Sequence, residues 1–96
     1  MVVVVCDPGG AVTRKTIVSE GGSDHAPAPV REIITTVLTS GGSSFGLAHN
    51  HPSGSLDPSP ADLEVTARLS EAAETVGLRL LDHVIVTDTA WRRIAA

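Results

Sequence analysis

Residues Val2–Cys6 are four valines and a cysteine, followed at once by Asp7-Pro8-Gly9-Gly10. A β-branched run this short reads as a strand. The turn residues after it send the chain into a second extended segment, Val12–Val18, with Gly9 or Gly10 supplying any positive φ. Such a pair commits the chain to a sheet. Its core must be aliphatic, because 42% of the chain is hydrophobic yet Phe45 and Trp91 are its only aromatic residues. A core of Val, Ile, Leu and Ala suits a sheet covered by helices. Ninety-six residues make one domain, taken as 1–96, with a core of marginal size.

Ser19–Pro29, with two glycines and two prolines, reads as a loop. From Val30 the period changes: Val30, Ile33, Ile34, Val37 and Leu38 share one helical face, with Pro29 at the start and Gly41-Gly42 as the stop. Phe45–Ala48 is a short strand leading to His49. Three prolines and one glycine between His49 and Pro60 specify a stiff loop. A second helix is expected over Pro60–Val76, with Leu63, Thr66, Ala67, Ala73 and Val76 facing inward and Gly77 ending it. Leu78–Leu81 and Val84–Thr87 form one strand, continuous or distorted near Asp82-His83, and Trp91–Ala95 adds a last edge. The predicted class is α/β, with a mixed sheet flanked by helices.

The formal charge is −4, from 11 acidic and 7 basic residues, and the densest basic spots, Arg14-Lys15 and Arg92-Arg93, are far apart in sequence. That is a poor footprint for nucleic acid, which needs clustered Lys and Arg. Cys6 is the sole cysteine, so no intramolecular disulfide can form, and its apolar setting makes it a buried structural thiol. The MVVVVC start lacks a positive n-region. No segment approaches the roughly 18–20 apolar residues of a membrane span, so the chain reads as soluble and cytoplasmic.

His49 and His51 are separated by one residue, which in an extended segment turns both imidazoles to the same side. Asp62 follows eleven residues after His51, near the start of the second helix. Folding that carboxylate back gives two nitrogens and one oxygen with room for water, the pattern of catalytic zinc. The duller reading is a helix start: Ser59 at N-cap, Pro60 at N1 and Asp62 at N3 form a capping box. On this reading the two roles compete, because one carboxylate is asked to serve both the Ser59 N–H and a metal.

His49-x-His51, seven residues, Ser59, two residues and Asp62 match the JAMM metalloprotease signature. The longer strings AHNHPSG, PSPAD and LLDHVIV, with Pro29-Val30-Arg31-Glu32 upstream, resemble the bacterial RadC-like JAB-domain family within the JAMM/MPN+ superfamily. That resemblance implies a cytidine-deaminase-like α/β architecture and one zinc ion held by His49, His51 and Asp62, with water completing the coordination. It implies that Ser59 steadies this water and that an upstream glutamate acts as general acid and base in cleaving a peptide or isopeptide bond. Here the glutamate's position falls on Thr16, which cannot act as a base near neutral pH. Glu20 is the nearest substitute, but reaching the site needs a bulge or a slipped register. The resemblance also implies a helix before the first strand, so the chain is expected to be a trimmed member lacking it. An uncovered apolar surface over Val2–Cys6 could then be closed by homodimerisation.

The remaining polar residues have plainer readings. His83 is a core residue or supports a metal ligand; Asn50 orients the loop or a substrate; Arg31 braces the motif loop or is exposed. Glu32 opposes the helix dipole. Asp57 is a loop residue and a rival to Asp62, and His25 is solvated. Three functions follow: a zinc-dependent hydrolase, a metal-binding module that has lost its base, and, disfavoured by charge, a DNA-repair protein.

Overall fold

The computed structural model describes residues 1–18, 29–51 and 53–94. They form β1 (Val2–Cys6), β2 (Val12–Ile17), α1 (Val30–Thr39), β3 (Ser44–Asn50), α2 (Pro60–Thr75), β4 (Arg79–Val86) and β5 (Trp91–Arg93). The strands make one sheet in the order β2-β1-β3-β4-β5. β1 is antiparallel to β2 and β3, whereas β3 and β4 are parallel and joined through α2, so the sheet is mixed as the sequence predicts.

Asp7 organises the first turn. Its carbonyl accepts the Gly10 N–H and its carboxylate the Ala11 N–H, both at 2.9 Å, and Gly10 takes the positive φ of 87°. β3 is longer than the expected Phe45–Ala48. It runs on to Asn50, which puts His49 inside the strand.

Val3, Val5, Phe45 and Leu47 of the sheet pack with Ile33 and Val37 of α1 and with Leu69 and Ala73 of α2. Both helices therefore cover one face. Gly42 lets α1 close onto β1, since a Cβ there would run into Val5. On the opposite face Val2, Ile17 and Trp91 are exposed.

The inward face of α2 matches the expected one in part. Thr66 and Ala73 are buried as expected, together with Leu69, and Asp62 is half-buried, whereas Leu63, Ala67 and Val76 are exposed. Asp62, Thr66, Leu69 and Ala73 lie at i, i+4, i+7 and i+11, one continuous helical stripe.

The irregularity foreseen near Asp82-His83 is a β-bulge. Phe45 pairs with Leu80 but Gly46 with Asp82, so Leu81 is the extra residue on β4. Without it Asp82 would take the inward place after Leu80. With it His83 turns inward opposite Leu47, where it is 1% exposed.

Candidate metal centre

Strand alternation buries Phe45, Leu47 and His49 on the helix-covered face of β3 and leaves Asn50 exposed on the other. His51 follows directly. Its backbone turns through a Gly54 N–H to His51 carbonyl bond of 2.9 Å, with Gly54 at φ 80°. The same turn places His51 Nδ1 2.9 Å from the Ser55 carbonyl. A carbonyl only accepts, so Nδ1 carries a proton, and in a neutral imidazole Nε2 then keeps its lone pair.

Three ligating side chains converge. His49 Nε2 and His51 Nε2 are 3.0 Å apart, Asp62 Oδ1 is 3.0 Å from His49 Nε2, and Asp62 Oδ2 is 3.0 Å from His51 Nε2. An ion held tetrahedrally at about 2.0–2.1 Å separates its ligand atoms by about 3.3–3.4 Å. The observed spacing is within a few tenths of an ångström of that, and the N, N, O set suits zinc chemistry. Among the described residues, His49, His51 and Asp62 are the His, Cys or acidic groups that assemble in this way, and the cluster can hold a divalent cation.

The competition expected for Asp62 does not arise, because the carboxylate has two oxygens. Asp62 Oδ2 accepts the Ser59 N–H at 2.7 Å, and Ser59 Oγ accepts the Asp62 N–H at 3.1 Å, completing the capping box. Oδ1 takes no part in the box and faces His49. Burial pushes the Asp62 carboxyl up. The Ser59 backbone N–H, the positive charge His49 has when protonated, the Ser59 side chain and the like charge of a protonated His51 outweigh it, and the net shift is downward.

Behind the donors lies a second row. His83 Nε2 is 2.8 Å from His49 Nδ1, His83 Nδ1 is 2.7 Å from Thr66 Oγ1, and Thr66 Oγ1 is 2.8 Å from the Asp62 carbonyl. Sequence reading placed Thr66 inward but gave it no role. The signal was its spacing, four residues after Asp62 on one helical face.

Other sequence candidates lie elsewhere. Asp57 is held by Arg92 at 3.1 Å and is no rival to Asp62. Arg31 is exposed in the first turn of α1. Glu20 and His25 lie outside the described residues. Thr16 pairs with Val3, which pairs with Leu47, so Thr16 lies in a row on the helix-covered side and is the one half-buried residue of β2.

The cluster opens on two hollows. One of about 130 Å³ is bordered by Met1, Pro29, His49 and Asp62. The other, about 450 Å³, is bordered by Asn50, His51, Val86 and Thr89. Among the described residues, no helix is long and apolar enough to cross a membrane.

The model of the RadC-like JAB domain matches residues 1–94. The chain is similar to the UPF0758 protein of Finegoldia magna, 39% identical over 84 residues that make up 88% of this chain and 38% of that one. It is similar to that of Trichlorobacter lovleyi, 38% identical over 88 residues, 92% of this chain and 38% of the relative. It is also similar to that of Syntrophomonas wolfei, 42% identical over 88 residues, 92% and 37% of the two chains. The chain thus spans less than two-fifths of the length of these relatives.

Proposed function

Because the chain belongs to the RadC-like JAB domain family, we propose that it is a zinc-binding module whose general-base carboxylate has been replaced by Thr16. The observation that supports metal binding is the convergence of His49 Nε2, His51 Nε2 and the Asp62 carboxylate at 3.0 Å separations. Thr16 occupies the place that the JAMM resemblance gives to the glutamate. A hydroxyl there neither takes nor returns a proton near neutral pH.

A hydrolase of peptide or isopeptide bonds is the second reading, favoured by the hollows on either side of the cluster. A bound zinc ion supplies Lewis acidity and lowers the pKa of water. On this reading Ser59, already at the Asp62 backbone, turns its hydroxyl proton toward the developing oxyanion, and Glu20 carries the proton to the leaving amine.

The test is zinc content with peptide and isopeptide hydrolysis, for the parent, Asp62→Ala and Glu20→Ala. One zinc per chain, lost in Asp62→Ala, with no turnover by the parent, is the expected result. Turnover that Glu20→Ala abolishes would establish the hydrolase instead.

A further inference from the structure

We infer that Thr66 and His83 are positioning residues of the metal centre, which set the protonation pattern of His49 so that its Nε2 lone pair faces the ion. The inference rests on the metal-binding reading above.

The Asp62 carbonyl can only accept, so the Thr66 hydroxyl proton, 2.8 Å away, is committed to it. Such a bond from a helical threonine to the carbonyl four residues earlier is a common local arrangement. With its proton spent, Thr66 Oγ1 can only accept at its second contact, 2.7 Å from His83 Nδ1, and Nδ1 must carry a proton. In a neutral imidazole that leaves Nε2 as an acceptor. His83 Nε2 is 2.8 Å from His49 Nδ1, which therefore donates, and the neutral His49 ring then carries its lone pair on Nε2.

That nitrogen is the one 3.0 Å from both Asp62 Oδ1 and His51 Nε2. His51 reaches the same state independently, through its Nδ1 contact with the Ser55 carbonyl. Two lone pairs and a carboxylate then meet with no proton between them, an arrangement that a cation relieves.

Burial makes the relay directional. Thr66 and His83 are 6% and 1% exposed, so neither can turn to solvent for another partner. The reverse pattern would move the Thr66 proton to His83 Nδ1 and leave the Asp62 carbonyl without it. It would also put a proton on His49 Nε2, where the ion should sit. The relay starts on Asp62 and ends on His49, so it also ties one ligand's backbone to the other's ring, through α2, β4 and β3. Outer partners of this kind orient ligating histidines in metal sites generally.

Zinc affinity is measured by competition with a chromophoric chelator for the parent, Thr66→Val and Thr66→Ser, alongside the Co²⁺ visible spectrum and the thermal midpoint of each metal-free protein. Valine keeps the shape and removes the hydroxyl; serine restores it. The expected result is a loss of about ten- to hundred-fold in affinity with Thr66→Val and an altered Co²⁺ band, both returned by Thr66→Ser. Zinc affinity of Thr66→Val within about twofold of the parent overturns the inference and leaves metal binding intact, whereas a parent that binds no zinc overturns both. Should Thr66→Val not fold, long-range ¹H–¹⁵N spectra of the zinc-loaded parent decide: a proton on His83 Nδ1 supports the relay, and one on Nε2 alone overturns it.

Discussion

Asp62 and Ser59 hold each other twice across the start of α2, through the Ser59 N–H to Asp62 Oδ2 bond of 2.7 Å and the Asp62 N–H to Ser59 Oγ bond of 3.1 Å. The pair fixes the carboxylate before any ion arrives and leaves Oδ1 facing His49. Ser59→Ala removes one of the two bonds. It is expected to lower the stability of the metal-free protein by about 1 kcal/mol, the usual worth of an N-cap side chain, and to weaken zinc binding without abolishing it. Urea denaturation with chelator present reads the first effect and chelator competition the second. Unchanged zinc affinity would show that the cap does not orient the ligand.

Metal removal should be visible in stability. A ligand at 100 times its Kd that binds only the folded state stabilises it by about 2.7 kcal/mol. Saturating zinc is therefore expected to raise the thermal midpoint of the parent, and EDTA to reverse the rise. In Asp62→Ala the midpoint should be indifferent to either. A zinc-induced rise of the same size in Asp62→Ala would place the ion elsewhere.

The lowered Asp62 pKa gives a pH dependence of defined sign. Its folded value lies below the unfolded one, so its contribution is complete above the ordinary aspartate pKa of about 4 and is lost as pH falls through the folded value. In metal-free protein, Asp62→Asn is expected to be less stable than the parent at pH 7, and the gap should close toward pH 3. Denaturation midpoints across that range check it; a gap that stays constant or widens on acidification contradicts the assignment.

Much of this was legible in the sequence because local chemistry dictated it. Pro29 and Gly41-Gly42 bound α1, the β-branched runs became strands, and Ser59-Pro60 opened α2. Face selection on α2 was right for Thr66 and Ala73 and wrong for Leu63, Ala67 and Val76, which a hydrophobic pattern picks but which lie outside the buried stripe. That stripe begins with Asp62 and Thr66 because their partners are His49 of β3 and His83 of β4, which hydrophobicity alone does not reveal. The core setting of His83 was readable from its apolar run, but its cause was not, since it depends on the unpaired Leu81, and one extra residue reverses the alternation that follows. The apparent conflict over Asp62 came from treating a carboxylate as one acceptor when its two oxygens divide the work.

The sharpest prediction concerns the missing base. The register Thr16–Val3–Leu47 puts position 16 on the helix-covered face, the face on which His49 lies two residues beyond Leu47. Thr16→Glu supplies a carboxylate there, and its half-buried setting favours the proton-holding form, as a general acid and base requires. Zinc-dependent hydrolysis of a peptide or isopeptide library is expected to appear in Thr16→Glu and not in Thr16→Gln, which has the shape without the proton transfer. General acid–base groups contribute typically about 10²–10⁴-fold, so the gain should stand clear of background. If Thr16→Glu binds zinc like the parent and stays inert, the loss of activity has a second cause in the groove. If the parent already turns over as fast as Thr16→Glu, the base is supplied from elsewhere and the reading of Thr16 is wrong.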